Sequence, residues 1–224
     1  MTDGSPFPAG VAGAAMNPTR AKLLAAAAET LRHEGIAGLA ARPIAARAGV
    51  NQALIFYHFG TVAGLVDAAV RASVEESTAF YRDRFARVTS LVELLQVGRE
   101  LHERERSAGN VAMMAQLLAG AQQDEALAAA ARFAMQRWTA EIEAVVRRVV
   151  EGGPLAELAD PAGIARAISA GFIGLELYEG VDAAGASAGL TALEQLGALV
   201  EVLDDLGPVA RRALRAKVRR TRVG

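Results

Sequence analysis

Apolar side chains recur along this 224-residue chain at intervals of three and four, the period of helices, and no segment alternates with the period of two that marks a half-buried strand. The first helix starts at Asn17-Pro18. Asparagine caps well, and proline at the first helical position loses no hydrogen bond that the helix needs. Leu23, Ala27 and Leu31 then follow at four-residue spacing. Gly35 is placed to end the helix in a left-handed conformation, with Ile36 and Leu39 folding back as apolar contacts. A short helix is predicted over roughly 42–48, with Pro43 in its first turn and Gly49 closing it. Asn51 opens the next, and Val50 and Ile55 stand at the spacing of a hydrophobic staple. The first sixty residues or so therefore read as three compact helices, the last two joined by a tight glycine turn, which is a helix-turn-helix pattern.

Beyond Val62 the helices lengthen. Val66, Val70, Val74, Ser77, Tyr81, Phe85 and Val88 trace one stripe over about 62–88; Leu91, Leu94, Leu95, Leu101 and His102 trace another to about 107. A shorter apolar helix is predicted over 111–122. Asp124 caps the next, where Leu127, Ala131, Trp138, Ile142, Val145 and Val149 hold one face until Gly152-Gly153-Pro154 stops it. The last two long helices are predicted over about 160–181 and 191–206. The first carries the small residues Ala167, Ser169, Ala170, Gly171 and Gly174; the second carries Leu193, Leu196, Val200 and Leu203, a packing seam at three-four-three spacing. That seam suits a helix of the same chain or, the favoured reading, a symmetry mate in a two-fold four-helix interface. The fold class is all-α with about nine helices.

Composition adds limits. Apolar residues make up 52 % and aromatics only 5 %, so much of the core is alanine. There is no cysteine, which removes disulfides and thiolate metal sites and fits a reducing, cytoplasmic setting. No apolar run reaches the ~20 residues of a membrane span. The first sixteen residues lack a basic leader and, being rich in Gly, Pro, Ala and Ser, predict a disordered arm. Charge is unevenly placed although the net is −1. Residues 1–60 carry a net +2, residues 61–206 a net −10, and residues 207–224 hold seven basic side chains and no acidic one. The basic tail reads as a solvated helix.

The segment Phe56-Tyr57-His58-Phe59 is the most unusual. At ~100° per residue, Ile55 and Phe59 share the core face, while Ala53, Leu54 and Tyr57 point away, Gln52 and Phe56 lie near one edge, and His58 at the other. Gln52 can pair bidentately with adenine, Ala53 and Leu54 can meet a thymine methyl, and Tyr57 and His58 can donate to phosphate oxygens. Asn51 stands at the start of this surface, with its side chain spent on capping. Arg42 opens the preceding helix, where a guanidinium and a helix start favour phosphate or guanine.

Residues 17–77 resemble the DNA-binding domain of tetracycline-repressor-type (TetR-family) regulators. The matching string is Gly35-Ile36, Arg42, Ile44-Ala45, Arg47-Ala48-Gly49-Val50, Ile55-Phe56-Tyr57-His58-Phe59 and Leu65. The resemblance implies a homodimer whose two recognition helices enter successive major grooves of a pseudo-palindromic double-stranded operator. It implies DNA contacts from Arg42, Gln52, Ala53, Leu54, Tyr57 and His58, with the motif at about 40–59. It also implies a divergent helical domain, here 78–206, that binds a small-molecule effector and dimerises. Three departures are visible: Val62 stands where lysine is common, Ala40-Ala41 where Thr or Ser is usual, and Leu54 where Thr is frequent. These predict fewer phosphate contacts and a shallower salt dependence.

Candidate effector-binding residues are His102, Met113, Met114, Phe133 and Trp138, chosen as adaptable or aromatic side chains on helices expected to face one another. The effector is expected to be apolar or amphipathic. Tyr178 with Glu176 and Glu179 reads as a helix end near the dimer seam, with pocket lining the alternative. A helical-bundle enzyme or carrier is disfavoured. No Glu precedes any of His33, His58 or His102 by three positions, and the phosphate-loop, HExxH and G-x-S-x-G signatures are missing. No cofactor and no metal site are expected.

Overall fold

The structure, a computed structural model, describes residues 17–151 and 159–204 together with positions 207, 209, 212 and 213. Those residues form nine α-helices and one short 3₁₀ turn, with no strand among them. In order they are α1 (Pro18–Glu34), the turn Ile36–Gly38, α2 (Ala41–Ala48), α3 (Ala53–Phe59), α4 (Val62–Arg87), α5 (Leu91–Ser107), α6 (Asn110–Gly120), α7 (Glu125–Glu151), α8 (Pro161–Glu179) and α9 (Ala183–Asp204). The expected arm 1–16, the stop at Gly152-Gly153-Pro154 and most of the basic tail lie outside the described residues.

Local chemistry explains the boundaries. Asn17 Oδ1 accepts the Thr19 N–H at 2.9 Å, and Pro18 begins α1. Thr61 Oγ1 caps α4 through the Gly64 N–H at 2.9 Å. Ser90 and Glu93 close a capping box: Ser90 Oγ accepts the Glu93 N–H at 3.1 Å while Glu93 Oε2 accepts the Thr89 N–H at 2.7 Å. Asp124 caps α7, accepting the Ala126 N–H at 2.8 Å. The turn between α2 and α3 needs Gly49, whose φ of 66° and ψ of 36° lie in the left-handed region.

One boundary corrects the sequence reading. α9 begins at Ala183 and not near 191. Asp182 Oδ1 accepts the Gly185 N–H at 2.9 Å and starts the helix there. The run 183–190 is almost wholly small residues, so it carries no apolar period to read; Leu193 is where a stripe becomes visible. The side chains of Leu196, Val200 and Leu203 lie outside those described.

Three apolar clusters hold the molecule together. Leu23, Ala27, Ile44, Ile55, Leu65 and Ala69 form the core of the amino-terminal helices. Tyr81, Phe85, Leu94, Val97, Val145 and Val146 form the core of the far end. Between them, Leu31, Val66, Val70 and Val74 of α1 and α4 share one core with Met113, Leu117, Leu127 and Ala130 of α6 and α7. Thr78 occupies a fully buried place on α4 and satisfies its hydroxyl by donating to the Val74 carbonyl at 2.8 Å. Ser77, read as part of the core stripe, turns toward a cavity instead. No single described helix is long and apolar enough to cross a membrane.

Candidate functional site

α3 is held down from one side only. Ile55 is fully buried, and Phe59 packs against the same cluster, with the Arg20 guanidinium 5.1 Å from its ring centroid. Asn51 Oδ1 accepts the Ala53 N–H at 2.8 Å, so its side chain is used as a cap. Gln52 and Ala53 are exposed, Phe56 is 51 % exposed and Tyr57 80 %. An exposure of that size for two large aromatic side chains on a seven-residue helix is costly unless the face has a partner. His58 is partly buried, edge-on to Tyr57 with ring centroids 4.9 Å apart.

Leu54 differs from expectation. It was placed on the outward face, but it is partly buried and packs against the amino-terminal core. The reason is angular: one residue before Ile55 lies about 100° away, close enough for a long side chain to fold back over the edge. Arg42 is exposed in the first turn of α2, where Ala40 supplies no side-chain cap. That leaves helix-start N–H groups open beside a guanidinium, an anion-favouring arrangement. Arg47, by contrast, is occupied. Its Nε donates to Thr30 Oγ1 at 3.2 Å and its guanidinium pairs with Glu34 and Glu29, tying α2 to α1.

The second feature is a cavity of about 450 Å³ bordered by α4 to α9. Met113, Met114 and Trp138 line it, as do Leu94, Ile168 and Phe172. Phe133 does not. It packs into the core shared by α1, α4, α6 and α7, with the Arg71 guanidinium 4.2 Å above its ring. α7 turns its Met135–Trp138–Ile142 face to the cavity, which sends Phe133 to the adjoining side. His102 lies beside a smaller neighbouring recess and bridges two helices. Its Nδ1 is 3.3 Å from Glu176 Oε1 and its Nε2 2.5 Å from Glu179 Oε2. Burial pushes the Glu176 carboxyl above the usual carboxylate range, the His102 hydrogen bond opposes this, and the Glu105 charge adds to the rise.

Sequence reasoning missed Glu105. It sits in the run His102-Glu103-Arg104-Glu105-Arg106, which reads as a solvated face; the only inward signal is its place four after Leu101. In the structure Glu105 lines the cavity and bonds to two other helices. Ser77 of α4 donates to its Oε2 at 3.2 Å, and Asn110 Nδ2 at the start of α6 donates to the same oxygen at 2.6 Å. Asn110 Oδ1 in turn accepts from Arg32 Nε of α1 at 2.9 Å. A continuous polar chain thus runs from the cavity wall to the helix that packs against α2.

The chain is similar in fold to known proteins. Residues 23–69 match the family model described as bacterial regulatory proteins, tetR family. Comparison with curated proteins finds no match. Among solved structures, a protein from Rhodococcus sp. assigned as a TetR-family transcriptional regulator superposes with a TM-score of 0.69 at 24 % identity, over 85 % of this chain and 100 % of its own. The fatty acid degradation regulator FadR from Bacillus halodurans gives a TM-score of 0.66 at 14 % identity, over 81 % and 95 %. A transcriptional regulator from Saccharomonospora viridis in complex with choline gives 0.62 at 18 %, over 79 % and 93 %. Residues 23–69 thus form a tetR-family DNA-binding domain, and the chain around them has the fold of the transcriptional regulators it resembles.

Proposed function

We propose that the protein is a homodimeric transcriptional repressor released from a pseudo-palindromic operator by a small apolar or amphipathic effector. The observation that carries the DNA half is the exposed face of α3, where Gln52, Ala53 and Tyr57 stand free while Ile55 anchors the helix. In a dimer, two such helices about 34–36 Å apart would meet successive major grooves. Support for the dimer comes from apolar side chains left exposed around α8 and α9: Leu177, Tyr178, Val181 and Leu193. Gly171 and Gly174 have open space where a Cβ would stand, leaving room for a partner helix to approach. The cavity supports the effector half, as does the choline held by the Saccharomonospora viridis relative.

The test is an unbiased selection of duplex fragments bound by the full chain, repeated with a metabolite extract. A recovered two-fold-related sequence that the extract displaces is the expected result. Retention of random duplexes only, or of none, would remove the DNA assignment.

The polar chain Ser77–Glu105–Asn110–Arg32 is the proposed route from cavity to reader, alongside α4 itself. Coupling of this kind is a difference in ligand affinity between two states, so cutting the route should shrink that difference without abolishing either binding event. Asn110→Ala is expected to keep operator binding and to lose about 0.5–2 kcal/mol of the coupling, a factor of roughly 2–30 in the effector's influence on operator affinity, read at saturating effector because Asn110 also lines the cavity. Operator titrations at zero and saturating effector measure it. Asn110→Asp keeps the acceptor for Arg32 but sets a second carboxylate against Glu105, and should perturb the coupling more than alanine does.

A further inference from the structure

We propose that the effector cavity is built for a lipophilic cation, an apolar body carrying one positive group that settles between Glu105 and Glu176. This inference rests on the reading of the cavity as a ligand site and narrows it to one chemical class. Among the described residues that line the cavity, these two glutamates are the only charged ones, and no lysine, arginine or histidine is present. The remaining wall is almost entirely aliphatic, aromatic or thioether.

Among the described residues, the partners of each carboxylate leave room for a further donor. Glu105 accepts from two neutral donors, the Ser77 hydroxyl and the Asn110 amide. Glu176 has Oε1 engaged at 3.3 Å with His102, which lines the smaller recess and not the main cavity. The nearby cation Arg106 is spent elsewhere, pairing with Glu179 at 3.3 Å. Burial and the Glu105 charge disfavour ionised Glu176 and the His102 hydrogen bond opposes them, so a positive group beside both carboxylates would favour the charged form. A ligand that expels water from such a wall must replace the water's hydrogen bonds. A neutral hydrocarbon does not, and leaves the carboxylates dry and unpaired. An anionic amphiphile brings further negative charge to a wall whose described lining holds no lysine, arginine or histidine, His102 being engaged between Glu176 and Glu179. An ammonium or amidinium satisfies both carboxylates at once, and the aromatic residues Trp138 and Phe172 line the same cavity.

Trp138 is the only tryptophan of the chain and lies in the cavity wall, so its fluorescence reports occupancy. The probes are decylammonium, whose three N–H groups can donate to both carboxylates, decanol and decanoate, kept below micelle concentrations and titrated into the full-length protein. The cation should give a saturable change at a concentration lower by about tenfold or more than decanol, with decanoate weakest. Glu105→Gln with Glu176→Gln should cut the cation's advantage over decanol by about tenfold while leaving decanol binding and the circular dichroism unchanged. The two single variants are read in the same way, so that misfolding of the double variant leaves the comparison intact. Decanol or decanoate binding as tightly as the cation, no saturable response to any probe, or an advantage that survives in the folded variants would each overturn the proposal. Operator binding is followed in parallel. A cation that fills the cavity yet leaves DNA binding untouched upholds the site's chemistry and removes the effector-response half of the proposed function instead.

Discussion

Replacing Ile55 with alanine is expected to destabilise the amino-terminal helices by about 2–5 kcal/mol and to abolish operator binding with it. Ile55 is fully buried among Leu23, Ile44, Leu65 and Ala69, and it is the only fully buried side chain on α3. A seven-residue helix is too short to persist on propensity alone, so its position depends on that anchor. Truncation removes three carbons' worth of transfer energy and leaves a void between α1, α2 and α4 that their backbones cannot collapse to fill. Phe56→Ala is the internal comparison. Phe56 loses more atoms but is half exposed, so its removal should change stability by less than about 1 kcal/mol. Urea denaturation followed by circular dichroism measures both. Equal losses in the two variants would mean that the face assigned to DNA is on the wrong side of α3.

The second large effect falls on recognition. Gln52→Ala should weaken binding to the selected operator by about 1–3 kcal/mol, roughly 5–150-fold, because a bidentate amide–adenine pair is lost. Tyr57→Ala should lower affinity by a comparable amount through loss of a hydrogen bond to a charged phosphate oxygen, about 1.5–3 kcal/mol. The two differ in kind. The glutamine variant should relax the base preference at one position in each half-site, whereas the tyrosine variant should weaken all sequences alike. Both positions are exposed and remote from the core, so folding should be untouched. Unchanged footprints in both variants would place the DNA-binding surface elsewhere.

How far the residues announced these features varied with the strength of their local signals. The amino-terminal helices were readable because each boundary has its own chemistry: Asn17-Pro18, Gly35, Gly49 and Asn51 act within a turn or two of themselves. The inward turn of Ile55 followed from the staple spacing and from the wheel face it shares with Phe59. Leu54 was misplaced because a wheel assigns directions and not reach, and a leucine beside a buried neighbour can fold inward. The start of α9 was hidden because alanine, glycine and serine carry no stripe. Glu105 and Asn110 were hidden for a different cause. Their role comes from α1, α4, α5 and α6 converging at one point, and no interval along the chain encodes that convergence. Phe133 and His102 show the same limit: a helix with two apolar neighbours has two inward faces, and composition does not say which one meets a cavity.

The core shared by Leu31, Val66 and Val70 with Met113, Leu117 and Leu127 makes head and body a single packed solid at their junction. The amino-terminal helices are therefore not a detachable cartridge. Cut away at residue 77, they would carry a raw apolar flank into water; transplanted onto another regulator, they would need a matching set of knobs from the new host. Any rearrangement that a bound molecule imposes on α6 must be absorbed by α1 and α4 together, as a tilt of the whole wedge and not as a swing on a loose joint.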